Sequence, residues 1–168
     1  MPNEDNTRNQ QQLLRQIRQI MTAINQIDGT YYLAAKKMGV NENELALLYA
    51  IGDGQPHSQK EVSEQWLIPR TTINTIVTKY REKGLLTLHS IEGHRREMHL
   101  CLTNAGKAYC NELLKPVYAA EIAALSQTLQ SCSESFIEGF STFSQLLEQQ
   151  FQQSILAPPG KEETTHEN

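Results

Sequence analysis

Residues 56–106 read PHSQKEVSEQWLIPRTTINTIVTKYREKGLLTLHSIEGHRREMHLCLTNAG, and the fold turns on this stretch. Ser58 stands three residues before Glu61, the spacing at which serine and glutamate side chains each satisfy a backbone N–H of the other at a helix start. The helix so begun carries Val62 and Trp66 one turn apart and stops near Leu67-Ile68-Pro69, because proline has no N–H and disfavours helical geometry in the residue before it. Proline is welcome as the first residue of the next helix. From Arg70 to Lys83 the apolar residues Ile73, Ile76, Val77 and Tyr80 fall at i, i+3, i+4, i+7, one buried stripe. The face opposite holds Thr71, Thr75 and Thr78, flanked by Thr72, Asn74 and Lys79. Gly84 can take the left-handed conformation that ends such a helix.

Beyond Gly84 the period changes. Leu86 and Leu88 alternate with Thr87 and His89, and Met98, Leu100 and Leu102 alternate with His99 and Cys101, so two strands with one buried face each are predicted. Between them Ser90-Ile91-Glu92-Gly93-His94-Arg95-Arg96 reads as a polar loop, basic at its end. Thr103 then caps a further helix. A capped helix, a turn, a second helix and a hairpin make a winged helix-turn-helix, and short hydrogen-bonding side chains suit a surface that approaches base edges in the major groove. The chain is thus a candidate for binding DNA.

Outward from this stretch the pattern is helical. Residues 8–37 place Leu13, Leu14, Ile17, Ile20, Met21, Ile24, Ile27 and Tyr31 at helical spacing, a long helix with a loosening expected near Asp28-Gly29. After a break at Met38-Gly39, Asn41 caps a helix with Leu45, Leu47, Leu48 and Ile51 that ends at Gly52-Asp53-Gly54. Downstream, Leu113, Leu114, Val117, Tyr118, Ile122, Leu125 and Leu129 continue one stripe across Pro116, where a kink is expected. Phe136, Ile137, Phe140, Phe143, Leu146, Leu147 and Phe151 form another. The expected fold is mainly α with a small β-hairpin wing. The expected organisation is a disordered N-terminus (1–8), an N-terminal helix of a dimerisation region (9–38), a winged helix-turn-helix (39–104), C-terminal dimerisation helices (105–156) and a disordered tail (157–168). Apolar stripes at both ends leave more hydrophobic surface than one copy covers, so a homodimer is inferred.

Charge separates along the chain. The formal net charge is −4, yet residues 66–107 hold Arg70, Lys79, Arg81, Lys83, Arg95, Arg96 and Lys107 against Glu82, Glu92 and Glu97, a local excess of +4 on an acidic remainder. Duplex binding fits that distribution, since phosphate contacts supply much of the affinity. With 39% apolar residues, no run long enough to span a membrane and no hydrophobic leader, a cytoplasmic location is expected. Cys101, Cys110 and Cys132 are odd in number and form no disulfide framework. A lone thiol at Cys101 near Arg95 and Arg96 is a weak oxidant-sensor signal. His89, His94, Glu97, His99 and Cys101 gather on the hairpin without paired metal-ligand spacing, so no metal or other cofactor is expected. No G-x-S-x-G, H-E-x-x-H or G-x-x-x-x-G-K motif occurs, and no enzyme is expected.

Thr72-Ile73, Gly84-Leu85-Leu86, Arg95-Arg96 and Leu102-Thr103-Asn104-Ala105-Gly106, with the gaps between them, resemble the signature of the MarR family of bacterial transcriptional regulators. The chain departs from that pattern at His94, where members usually carry an acidic residue, and at Tyr80, usually leucine or methionine, while Thr75 occupies a position that is often arginine or another small polar residue. The resemblance implies a dimer paired through its first and last helices, regulating transcription at a pseudo-palindromic operator, and release by a small aromatic or phenolic effector. The candidate DNA-facing residues are Ser58, Arg70, Thr71, Thr72, Asn74, Thr75, Thr78, Lys79, His94, Arg95 and Arg96. The candidate effector-lining rings are Tyr31, Tyr32, Trp66 and Tyr118. The rival reading is a winged-helix module that binds another protein; its wing and second-helix face should lack basic residues, which here they do not.

Overall fold

The computed structural model describes residues 2–91 and 94–156, and of residues 2–5, 91 and 94–97 the backbone alone. Helix α1 (Pro2–Lys37) precedes α2 (Glu42–Ile51), strand β1 (His57–Ser58), α3 (Gln59–Gln65), α4 (Arg70–Glu82), β2 (Leu86–Ile91), β3 (His94–Leu102), α5 (Asn104–Ser131) and α6 (Ser135–Phe151), which closes on a π-helical turn, Gln152–Leu156. This is the mainly helical winged fold expected from the sequence. The chain divides into two units, Met1–Val117 and Tyr118–Asn168.

The first unit holds the core. Leu45, Leu47, Leu48 and Ile51 of α2, Val62 of α3, Ile73, Ile76, Val77 and Tyr80 of α4, Leu86 and Leu100 of the sheet, and Cys110, Leu114 and Val117 of α5 are buried in it. The α4 stripe read from the sequence is therefore the buried one. The sheet is antiparallel in the order β1-β3-β2. Leu86 faces Leu102 and Leu88 faces Leu100 across the β2–β3 ladder, while β1 adds His57 against Leu100. Met98, expected on the buried face, is exposed instead, because it lies towards the free end of the hairpin.

Three residues, Gly84, Thr103 and Gly106, fix the geometry. Gly84 has φ +69° and ends α4 as expected. Thr103 donates its hydroxyl to the Gly84 carbonyl at 2.8 Å and accepts the Gly106 N–H at 3.0 Å, while its own N–H reaches the Leu85 carbonyl at 3.1 Å. A Cβ added to Gly106 would lie 1.8 Å from the Leu85 oxygen, so only glycine lets the start of α5 cross the chain there.

Several expectations about boundaries need correction. Residues 2–8, read as disordered, belong to α1. The helix also runs through Asp28-Gly29 without a break. α5 spans Pro116 as one helix, in keeping with the single stripe read across it. The loop read over Ser90–Arg96 is mostly strand: β2 extends to Ile91 and β3 starts at His94, with a bulge between Ser90 and Ile91. Ladder hydrogen bonds carry the pairing on where side-chain alternation stops. The tail expected over 157–168 lies outside the described residues.

Among the described side chains of α1, Ala35 alone is buried, and Leu13, Leu14, Ile17, Met21, Ile27, Tyr32 and Leu33 are exposed. In the second unit no described side chain is buried: Ile122, Leu125, Phe136, Ile137, Phe140, Leu146, Leu147 and Phe151 all meet solvent.

Candidate nucleic-acid interface

Ser58 begins α3 as its spacing foretold. Its hydroxyl accepts the Glu61 N–H at 3.1 Å, and its own N–H donates to Glu61 Oε2 at 2.7 Å. The Ser58 N–H, donating to the Glu61 carboxylate, holds its pKa below the usual value. Ser58 is itself buried, so the structure places this candidate contact within the cap. Helix α3 ends at Trp66, and Leu67 turns the chain with φ +52°, a left-handed conformation in a residue that is 87% exposed. Ser63 Oγ braces the turn by donating to the Ile68 carbonyl at 2.8 Å. Pro69 sits one residue earlier than expected, as the N-cap of α4, and no side chain caps that helix.

Helix α4 shows two faces. Ile73, Ile76, Val77 and Tyr80 are buried, whereas Arg70, Thr71, Asn74, Thr75, Thr78 and Lys79 are exposed and Thr72 is half-buried. The Thr75 hydroxyl donates back to the Thr71 carbonyl at 3.0 Å, and Thr71 is itself exposed. Arg70 lies 3.9 Å from Glu64, an exposed pair of little energetic weight that leaves the guanidinium accessible. Lys79 differs from the rest. Its ammonium donates to the carboxylate of Glu44 on α2, a residue only 2% exposed. The spacing of Asn41 and Glu44 matches a capping box and contained the signal for this group, which sequence reading took only as far as Asn41. Tyr80, where a leucine or methionine is usual, packs its ring 6.0 Å from that of Tyr109. Burial first, and a hydrogen bond to Tyr109 next, hold its phenol far above the ordinary range.

The side chains of His94, Arg95 and Arg96 lie outside the described residues, as do Glu92 and Gly93 entirely; the backbone of β3 carries the two arginines on the arm that leads away from the tip. No group of three or more His, Cys, Asp or Glu lies close enough to hold a metal among the described residues. Of the candidate rings, Trp66 packs against Tyr49 at a tilt with centroids 5.4 Å apart, Tyr31 and Tyr32 lie on α1, and Tyr118 opens the second unit. Two open grooves on the first unit are lined by none of them. One, of about 560 Å³, runs between α4 and β2 past Thr78, Arg81, Glu82 and Thr87. The other, of about 370 Å³, has Gln55, Leu100, Cys101, Lys107 and Asn111 on its walls.

Among known proteins, the model of the MarR family matches residues 38–97, which hold α2, the α3–turn–α4 pair and most of the hairpin. Over these residues the chain is similar to the MarR family. Solved MarR-family structures share the fold at low sequence identity. A MarR family regulator from Neisseria meningitidis superposes with a TM-score of 0.70 at 22% identity, covering 82% of this chain and 97% of its own. A MarR family regulator from Listeria monocytogenes, solved in complex with a 26mer DNA, gives 0.58 at 16% identity over 80% of this chain and 87% of its own. NadR in complex with 4-hydroxyphenylacetate gives 0.56 at 15% identity over 76% and 88%. No curated protein matches the sequence. Among the described residues no helix is long and apolar enough to cross a membrane.

Proposed function

We propose that the protein is a sequence-specific, double-stranded-DNA-binding transcriptional regulator that acts as a homodimer, repressing a pseudo-palindromic operator by occupancy. One observation carries this reading: α4 turns a polar face of Thr71, Asn74, Thr75 and Thr78 to solvent while its opposite face is locked in the core. Those side chains, with Thr72, read base edges; Arg70, Arg95 and Arg96 neutralise phosphates, with a wing arginine in the minor groove. Ser58 supports the site from the start of α3. The exposed apolar surfaces of α1 and of the second unit support pairing of two chains. Two reading helices related by a twofold axis then meet half-sites about one helical turn apart.

A small aromatic or phenolic acid is the effector this reading calls for, supported by the likeness to NadR, whose structure holds 4-hydroxyphenylacetate. Such a molecule releases DNA only if it binds better to the spacing of reading helices that DNA does not favour. The decisive experiment is selection of bound duplexes from a random pool, with and without aromatic acids, followed by a salt titration on the enriched duplex. An inverted repeat should emerge, and binding should weaken steeply with salt. No enrichment, or binding indifferent to salt and to reversal of charge at Arg95 and Arg96, would sink the proposal and favour a protein-binding winged helix.

A further inference from the structure

The carboxylate of Glu44 has more partners than a helix cap requires. Its Oε2 accepts the Asn41 N–H at 3.1 Å, and its backbone N–H donates to Asn41 Oδ1 at 2.9 Å, which completes the capping box of α2. The cap needs one acceptor, and a glutamine would supply it. The second oxygen, Oε1, takes the ammonium of Lys79 from α4, far along the chain. With its side chain 3% exposed, the Glu44 carboxylate stands where an uncompensated charge is costly. Lys79 is the cation that compensates it, and Lys79 belongs to the helix proposed to read DNA.

We propose that Glu44 is a positioning residue for DNA recognition: through Lys79 it fixes the reading helix to α2 and withholds that ammonium from phosphate. This rests on the regulator reading above. Lys79 is half-exposed and follows Thr75 and Thr78 on the same helix, so its charge alone would enrol it in the phosphate clamp. Moving to a phosphate would exchange one anion for another and strand Glu44 unpaired in the interior, so the pair holds when DNA arrives. Holding Lys79 against α2 also sets the roll of α4 about its axis, and with it the outward aim of Thr71, Asn74 and Thr75. One unit of the basic excess counted along residues 66–107 is thereby cancelled from outside that window.

The test compares wild type, Lys79→Gln and Glu44→Gln in salt titrations on the enriched duplex and on a mixed-sequence duplex of equal length. Lys79→Gln should keep the wild-type slope of log affinity against log salt and lose several-fold discrimination between the two duplexes. Glu44→Gln keeps the cap but frees the ammonium, so its slope should steepen by about 0.9 for each reading helix. A slope for Lys79→Gln shallower by about that amount would make Lys79 a phosphate contact and overturn the proposal while leaving the regulator reading intact. Absence of salt-dependent binding by wild type would remove both. Should Lys79→Gln fail to fold, the Glu44→Gln/Lys79→Gln double variant, which buries no unpaired charge, takes its place. It must then show the wild-type slope, and a shallower one counts against the proposal.

Discussion

A Cβ on residue 106 would approach the Leu85 carbonyl oxygen to 1.8 Å, and the obstacle is backbone held by Thr103, so neither side can yield cheaply. Gly106→Ala should therefore destabilise the fold by about 3 kcal/mol or more, read as a lowered denaturant midpoint at unchanged slope. Gly29, inside α1, has nothing within 4 Å of an added Cβ, so the same substitution there costs the chain no room. Leu67 presents the opposite situation. It holds φ +52° while packing on almost nothing, a conformation that costs a leucine roughly 1–2 kcal/mol. Leu67→Gly should raise stability by up to about 1 kcal/mol, since glycine's gain at positive φ outweighs its extra unfolded-state freedom; a fall in melting temperature would contradict this. At this scale the sequence was legible where the demand is local. Gly84 ends its own helix and could be read from its neighbours. Gly106 could be read only as a motif letter, because what excludes a side chain there is Leu85, distant in sequence. Leu67 could be read only as part of the stop at Leu67-Ile68-Pro69, because nothing in its side chain announces a positive φ.

Helices announce their starts better than their partners. Ser58 with Glu61 was legible as a reciprocal cap because both members sit within one turn, and the structure forms both bonds. Since the native carboxylate of Glu61 is held below its ordinary value by the Ser58 N–H, its contribution is complete above the unfolded glutamate pKa of about 4.3 and is lost as pH falls through the lower native value. Melting followed from neutral to about pH 3 should fall less steeply for Glu61→Gln than for wild type, because that variant has no proton to take up. Ser58→Ala should cost about 1 kcal/mol at neutral pH. The second strand pair was less legible. β1 is two residues long and becomes a strand only by bonding to β3, so no period within it could reveal it. The arms of the wing ran on past the last clear alternation for the same reason. Of the candidate interface, the outward face of α4 was readable from a 3.6-residue period. The fate of Lys79 was not, since its partner stands on another helix.

For the whole molecule the question is what covers the apolar surface. Phe136, Phe140, Leu146 and Phe151 stand along α6 with none of them buried, and α1 exposes Leu13, Leu14 and Ile17. Stripes at helical spacing were plain in the sequence, but periodicity marks which face is apolar and is silent about what meets it. If two chains meet there, wild type should sediment as a dimer with a melting temperature that rises with protein concentration. Phe140→Asp should shift it to monomer and abolish that dependence while leaving the first unit folded. The way the helices begin differs across the molecule, with a further consequence. In α2, α3 and α5 a side chain closes on a first-turn amide, from Asn41, Ser58 and Thr103, whereas α4 starts at Pro69 with no such closure. In deuterated water the amides of Glu44, Glu61 and Gly106 should thus acquire the label slowly, and those of Arg70 to Thr72 within the shortest pulse.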